Sequence, residues 1–187
     1  MIYFTDNFLS QELLDEFIAD ESPFIEYPTI DKIFYVKPVS DKFNNYVINK
    51  IEDIEGNRIK NIVSFFREAK DGQDTSWRIH NDSEMMGEQP DRAIVLFMES
   101  EDSKELNGTA FWEHNQYGDI YQGNTQEEYD RLILEESENL DAWTLKSVVG
   151  YKQNRLLSYP CNYFHSKYPN QFKQPRRVFV MFYQLIK

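Results

Sequence analysis

A mainly β, antiparallel sandwich or barrel, with helices packed on one of its sheets, is the fold this sequence predicts. Three observations carry that expectation. From Ile59 onward the chain falls into about seven short runs rich in aromatic and branched residues. Turn signals such as Glu55-Gly56-Asn57, Asp71-Gly72, Asn107-Gly108 and Tyr117-Gly118 separate many of them, and few helical patterns intervene. Two amphipathic stretches precede these runs, where helices would cover one face of a sheet.

Ile2-Tyr3-Phe4 reads as a short strand, broken by Thr5-Asp6-Asn7. Ser10 can cap a first helix with Glu12 in its opening turn, and Leu13, Leu14, Phe17 and Ile18 recur at helical spacing. Pro23 and Pro28 mark irregular chain before the strand Ile33-Phe34-Tyr35-Val36. Ser40 opens a second helix whose buried stripe is Phe43, Val47, Ile51 and Ile54 and which Gly56 ends. The strands that follow are Ile59–Arg67, Trp77–Asp82, Ala93–Met98, Thr109–His114, Trp143–Val149, Asn154–Tyr159 and Val178–Ile186. Gln126–Asn139 is acidic and helical in pattern, an insertion between strands expected at the rim. No repeat, low-complexity tract or linker divides the chain. The expected organisation is one domain, 1–187, with residues 1–58 as support and 59–187 as the β core, the insertion lying around 121–141.

With 187 residues, 14 Phe, 12 Tyr and 3 Trp, the chain can bury a substantial core. A net charge of −12 and a pI near 4.7 argue against duplex nucleic acid or an anionic membrane as main partner. The single Cys161 excludes an intrachain disulfide and fits a reducing compartment. No apolar run approaches the ~20 residues a membrane span requires, and no signal-peptide pattern is seen. A cytoplasmic location is the corresponding expectation.

The chemistry-bearing stretch is Trp77-Arg78-Ile79-His80-Asn81-Asp82, after the breaker-rich Lys70–Asp74. Extended, it would place Arg78, His80 and Asp82 on one face. A histidine and a carboxylate two apart can grip a divalent metal from one side and leave other positions open. A distant histidine would complete the two-His-one-carboxylate set that suits non-haem Fe(II). His165, in Tyr163-Phe164-His165-Ser166, is the candidate. Taken alone, His-x-Asp is common by accident and reads equally as a surface turn; its order along the chain gives it weight. Arg176-Arg177 opens the last strand, one expected to face inward and the other outward. A buried arginine at that position calls for an anionic partner, for which its planar fork suits a carboxylate. His114 is a rival ligand or a packing residue. Trp112, Glu113 and Tyr117 are candidates for an entrance, and Cys161 reads as an inert thiol.

In this order, His80-x-Asp82, then His165, then an arginine opening an aromatic strand, the chain resembles the Fe(II)/2-oxoglutarate-dependent dioxygenases. Asp6-Asn7-Phe8-Leu9-Ser10-x-Glu12-Leu13-Leu14 looks like the opening of their prolyl-hydroxylase-like branch, including its bacterial and viral members. Asn107-Gly108-Thr109-Ala110-Phe111-Trp112 is similar to that branch's Gly-Gly-Thr-x-Phe strand. Asn154-Arg155-Leu156, followed by Phe164-His165, is similar to its Asn-Arg-Leu … Phe-His segment. The resemblance implies a double-stranded β-helix (a jelly roll, cupin-like) with His80, Asp82 and His165 as iron ligands. It implies that Arg177, immediately before the branched Val178, binds the distal carboxylate of 2-oxoglutarate, with Arg176 as the alternative. Fe(II) and 2-oxoglutarate are the implied cofactor and co-substrate, and O₂ and a small-molecule or protein side-chain substrate the partners. Hydroxylation with release of succinate and CO₂ is the implied activity; a silent jelly-roll module binding metal or a small ligand is the alternative. Arg78 would then meet either an anionic substrate group or Asp82.

Overall fold

The computed structural model describes residues 1–28, 33–69, 76–98, 108–121, 125–169 and 175–186. The breaker-rich segment 70–75, including Asp71-Gly72, and Asn107 of the Asn-Gly turn lie outside the described residues, as do positions 122–124 of the insertion. Among the described residues, ten strands form two antiparallel sheets: β1 Tyr3–Thr5, β2 Ile25–Pro28, β3 Ile33–Lys37, β4 Ile59–Ala69, β5 Arg92–Phe97, β6 Gly108–His114, β7 Trp143–Gly150, β8 Leu156–Pro160, β9 His165–Tyr168 and β10 Arg176–Leu185. The large sheet has the order β1-β8-β5-β10-β4-β3-β2, and the small one β7-β6-β9.

Alternation along β10 divides the molecule into layers. Phe179, Met181 and Tyr183 face the helices α1 (Gln11–Ala19) and α2 (Asp41–Glu55), where they meet Leu13, Leu14, Phe43, Val47 and Ile51. Val178, Val180 and Phe182 point the other way, into the space between the sheets, with Ala93, Val95, Phe97, Phe111, Leu157 and Tyr159. The helices begin as their sequences predict. Ser10 accepts from the Leu13 amide and Ser40 from that of Phe43, and α2 ends at Gly56 in the left-handed conformation (φ 66°). Their apolar stripes are narrower than expected, since Ile18 and Ile54 are exposed.

Three expectations about elements are corrected. Ile25–Pro28, read as irregular because Pro23 and Pro28 flank it, is an exposed edge strand paired antiparallel with β3, and its Pro28 lies at the strand's last position. Gln126–Asn139 is a helix α3 (Gln126–Glu136) that does not stop at the rim. Its Leu132 packs on the outer face of the small sheet with Ala110, Trp112, Trp143 and Phe164. Trp77–Asp82 is not a strand: only His80 makes a bridge, to His165, and Arg78 has a left-handed backbone (φ 45°). That turn breaks the alternation that would have put Arg78 on one face with His80 and Asp82.

Gly108 has a steric reason to be glycine. A Cβ there would lie 2.3 Å from the Val149 carbonyl oxygen, so β6 and β7 could not close together. Among the described residues, no helix is long and apolar enough to cross a membrane.

Candidate metal centre

His80 and His165 exchange both backbone hydrogen bonds, at 3.0 and 2.8 Å. Residues paired in this way on antiparallel chains send their side chains to the same face. That face is the interior, because His165 is also directly opposite Phe111, which packs between the sheets. The Asp82 amide donates to the Cys161 carbonyl at 2.8 Å, which returns the Asp82 side chain to the same place. One Asp82 oxygen lies 3.6 Å from His80 Nε2 and the other 3.2 Å from His165 Nε2. The three donor atoms all fall within 4.8 Å of one another.

The protons on the two rings are fixed by what their other nitrogens touch. His80 Nδ1 is 2.7 Å from the Arg78 carbonyl, and His165 Nδ1 is 3.1 Å from the Tyr163 carbonyl. A carbonyl only accepts, so Nδ1 carries a proton in each ring and Nε2 is the ring atom that faces Asp82. Burial, and then the neighbouring His165, hold the His80 pKa well below the usual histidine range. For Asp82, burial pushes upward, but His165, His80 and Arg78 together bring the carboxyl below its ordinary value. Two imidazole Nε2 atoms and one carboxylate oxygen therefore converge. This donor set fits a divalent first-row metal held on one side.

The arginines separate as their adjacency requires. Arg177, the preferred co-substrate residue on sequence grounds, is on the helix-bearing face, 2.8 Å from Glu68 and 5.9 Å from the centre of the Phe24 ring. Arg176 is buried on the interior face, its guanidinium 5.5 Å from the centre of the Phe97 ring and Nη2 3.4 Å from the Gly108 carbonyl. The two-residue period of β10 makes that difference: Arg176 shares its side with Val178 and Val180, Arg177 with Phe179.

Two interior residues had not been singled out in the sequence. The Tyr159 hydroxyl is 3.2 Å from His165 Nε2, and burial pushes its phenol far up, with Asp82 adding to the effect and Arg176 and Arg67 opposing it. Arg67 is directly opposite Val178, hence on the interior side of β4. Period-two alternation through Val63, Phe65 and Arg67 was the signal available for it.

His114 is a packing residue. Its Nδ1 faces the amides of Gln116 and Tyr117 at 3.2 and 3.3 Å, so Nε2 carries the proton and donates to Glu136 at 2.8 Å. The ring lies against Tyr117 and Trp143 on the outer face of the small sheet. Trp112 is buried, donating to Ser166 at 2.9 Å. Cys161 is buried too, and burial raises its thiol.

Two of the clefts among the described residues lie near α1 and near Asn81, and neither is lined by His80, Asp82 or His165. One, of about 450 Å³, lies beside α1 and is lined by Phe17, Asp20 and Lys37 among others. The other, of about 580 Å³, reaches Asn81, between two of the converging side chains, and includes Glu84, Met86, Tyr121 and Tyr129.

No protein-family model matches the sequence, and no curated protein matches it. Solved structures do. HygX from Streptomyces hygroscopicus, with nickel and 2-oxoglutarate bound, is 11% identical with a TM-score of 0.58; the match covers 98% of this chain and 82% of that one. The epimerase SnoN, in complex with iron(III), α-ketoglutarate and nogalamycin RO, is 10% identical with a TM-score of 0.62, over 98% and 78% of the two chains. The viral collagen prolyl hydroxylase of Paramecium bursaria Chlorella virus-1, as its 2-oxoglutarate complex, is 9% identical with a TM-score of 0.55, over 100% and 96%. The chain thus has the jelly-roll fold of the non-haem 2-oxoglutarate-dependent oxygenases. A Pseudomonas putida prolyl-4-hydroxylase is another solved structure that shares this fold, 9% identical with a TM-score of 0.56.

Proposed function

We propose that this protein is an iron(II)- and 2-oxoglutarate-dependent oxygenase that hydroxylates an unactivated C–H bond. The observation that carries the reading is the convergence of the His80, Asp82 and His165 ligand atoms within 4.8 Å of one another. His80, Asp82 and His165 would hold the metal, leaving the remaining positions for the co-substrate and O₂. When bound, iron and 2-oxoglutarate supply the oxidising power: one oxygen atom of O₂ enters succinate as CO₂ leaves, and the other enters the substrate C–H bond as hydroxyl.

The chain's own residues supply position and dryness. The carbonyls of Arg78 and Tyr163 hold each Nδ1, which orients the rings so that Nε2 is the atom each presents. Arg176, on the interior face of β10, is the residue we assign to the distal carboxylate of 2-oxoglutarate, in preference to Arg177. Phe97, Phe111 and Tyr159 enclose the same interior and limit water there. The substrate is a small molecule or a protein side chain, since the net charge of −12 disfavours duplex nucleic acid.

Succinate formation tests the proposal before any substrate is known. The Fe(II)-loaded protein in air should convert 2-oxoglutarate slowly to succinate, and Asp82→Ala should abolish it. Binding of metal and 2-oxoglutarate without succinate would instead assign the chain to a silent binding module.

A further inference from the structure

The segment that carries two of the three converging side chains lacks a sheet partner along most of its length, yet its amides are all accounted for. The Trp77 and Arg78 amides donate to the two oxygens of Glu138, at 2.8 and 2.6 Å. That of Ile79 donates to the Ser137 carbonyl at 3.1 Å, and that of Asn81 to the Tyr129 hydroxyl at 3.1 Å. Only His80 and Asp82 use the carbonyls of His165 and Cys161. Four of the six consecutive donors therefore go to residues of α3 and the turn after it, where a neighbouring strand would ordinarily receive them.

We infer that the α3 insertion is a splint for the metal-binding arm, with Tyr129 and Glu138 as positioning residues that hold His80 and Asp82 in register. This rests on the metal-site reading above. Tyr129 is the sharpest case. Its hydroxyl accepts from the Asn81 amide and donates to the Asn81 carbonyl at 3.2 Å, clamping the peptide units between the two ligands without touching either ligand side chain. The splint is itself tied down: Glu136 accepts from His114 Nε2 at 2.8 Å through its carboxylate and from Trp143 Nε1 at 2.7 Å through its carbonyl, and Leu132 and Ile79 share one buried cluster. An acidic helix that reads as a solvated insertion is thereby coupled to the separation of two donor atoms. Hydrogen-bond partners behind metal ligands commonly change metal affinity ten- to a hundred-fold when removed.

The test is Mn(II) affinity of the metal-free protein, followed by the paramagnetic signal of free Mn(II), alongside the melting temperature with and without Mn(II). Tyr129→Phe removes one oxygen and should weaken Mn(II) binding about ten-fold and shrink the Mn(II)-induced rise in melting temperature. Glu138→Gln, which keeps a single oxygen acceptor for two amides, should act in the same direction, and it carries the test if Tyr129→Phe does not fold. Tyr121→Phe is the control, because that ring meets Tyr129 edge-on at 5.2 Å while its hydroxyl donates to the Thr125 carbonyl; its affinity should stay within about two-fold of wild type. Wild-type affinity in both Tyr129→Phe and Glu138→Gln, or an equal loss in Tyr121→Phe, overturns the splint while leaving the metal site intact. A wild-type protein that does not bind Mn(II) at all overturns the metal-site reading, and the splint with it.

Discussion

His80 and His165 face each other across a reciprocal pair of backbone hydrogen bonds, with their ring centres 4.6 Å apart. Chain segments remote in sequence are thus locked in one register at the single point where two imidazoles must meet. A slip of one residue would turn either ring to the opposite face.

The arginine assignment separates two neighbours. Arg176→Met should raise the 2-oxoglutarate concentration needed for half-saturation at least about ten-fold, the scale of one charge-assisted pair. Arg177→Met should leave it within about two-fold, because that side chain pairs with Glu68 on the opposite face. Titration of the Fe(II)-loaded variants measures both, and the reverse pattern would return the role to Arg177.

Asn154 should matter for stability rather than chemistry. Its amide joins both backbone groups of Leu9, at 2.7 and 3.1 Å, in a left-handed conformation with φ 59°. Asn154→Gly keeps that conformation available and isolates the amide, and should cost about 1–3 kcal/mol. Asn154→Ala should cost about 1 kcal/mol more, because alanine resists positive φ. Urea unfolding checks the order, and a smaller loss in the alanine variant would contradict it.

Asp6 gives a pH signature. Hydrogen bonds from Arg155 and then Lys152 lower its carboxyl to about 2, below the unfolded value of about 3.9. A depressed carboxylate stabilises the fold above the unfolded pKa, and that contribution is lost as pH falls through the folded one. The carboxylate is partly open to solvent, so its contribution at neutral pH is about 1 kcal/mol or less. Thermal melts of wild type and Asp6→Asn should differ at pH 7 and converge near pH 2; a gap that widens with acid would refute the assignment.

Much of this was legible in the sequence, for identifiable reasons. Ser10, Ser40 and Gly56 are local signals, and the helix ends follow them. His80, Asp82 and His165 could be picked out by residue type and order, and they do come together. The choice between Arg176 and Arg177 depended on the phase of a strand whose two faces are both apolar, so alternation in the sequence could not fix which side is inward. The conformation of Trp77–Asp82 depended on hydrogen bonds to Tyr129, Ser137 and Glu138, far along the chain, and no local propensity encodes those. Tyr159 escaped notice because a tyrosine in an aromatic strand reads as core until His165 is placed beside it.

The central claim is that three side chains hold one iron together with 2-oxoglutarate, and anaerobic absorption spectroscopy tests it most directly. Fe(II) with 2-oxoglutarate should give the wild-type protein a visible metal-to-ligand charge-transfer band, and His165→Ala should lose it. Absence of the band in the wild type, or a band of undiminished strength in His165→Ala, would contradict the account.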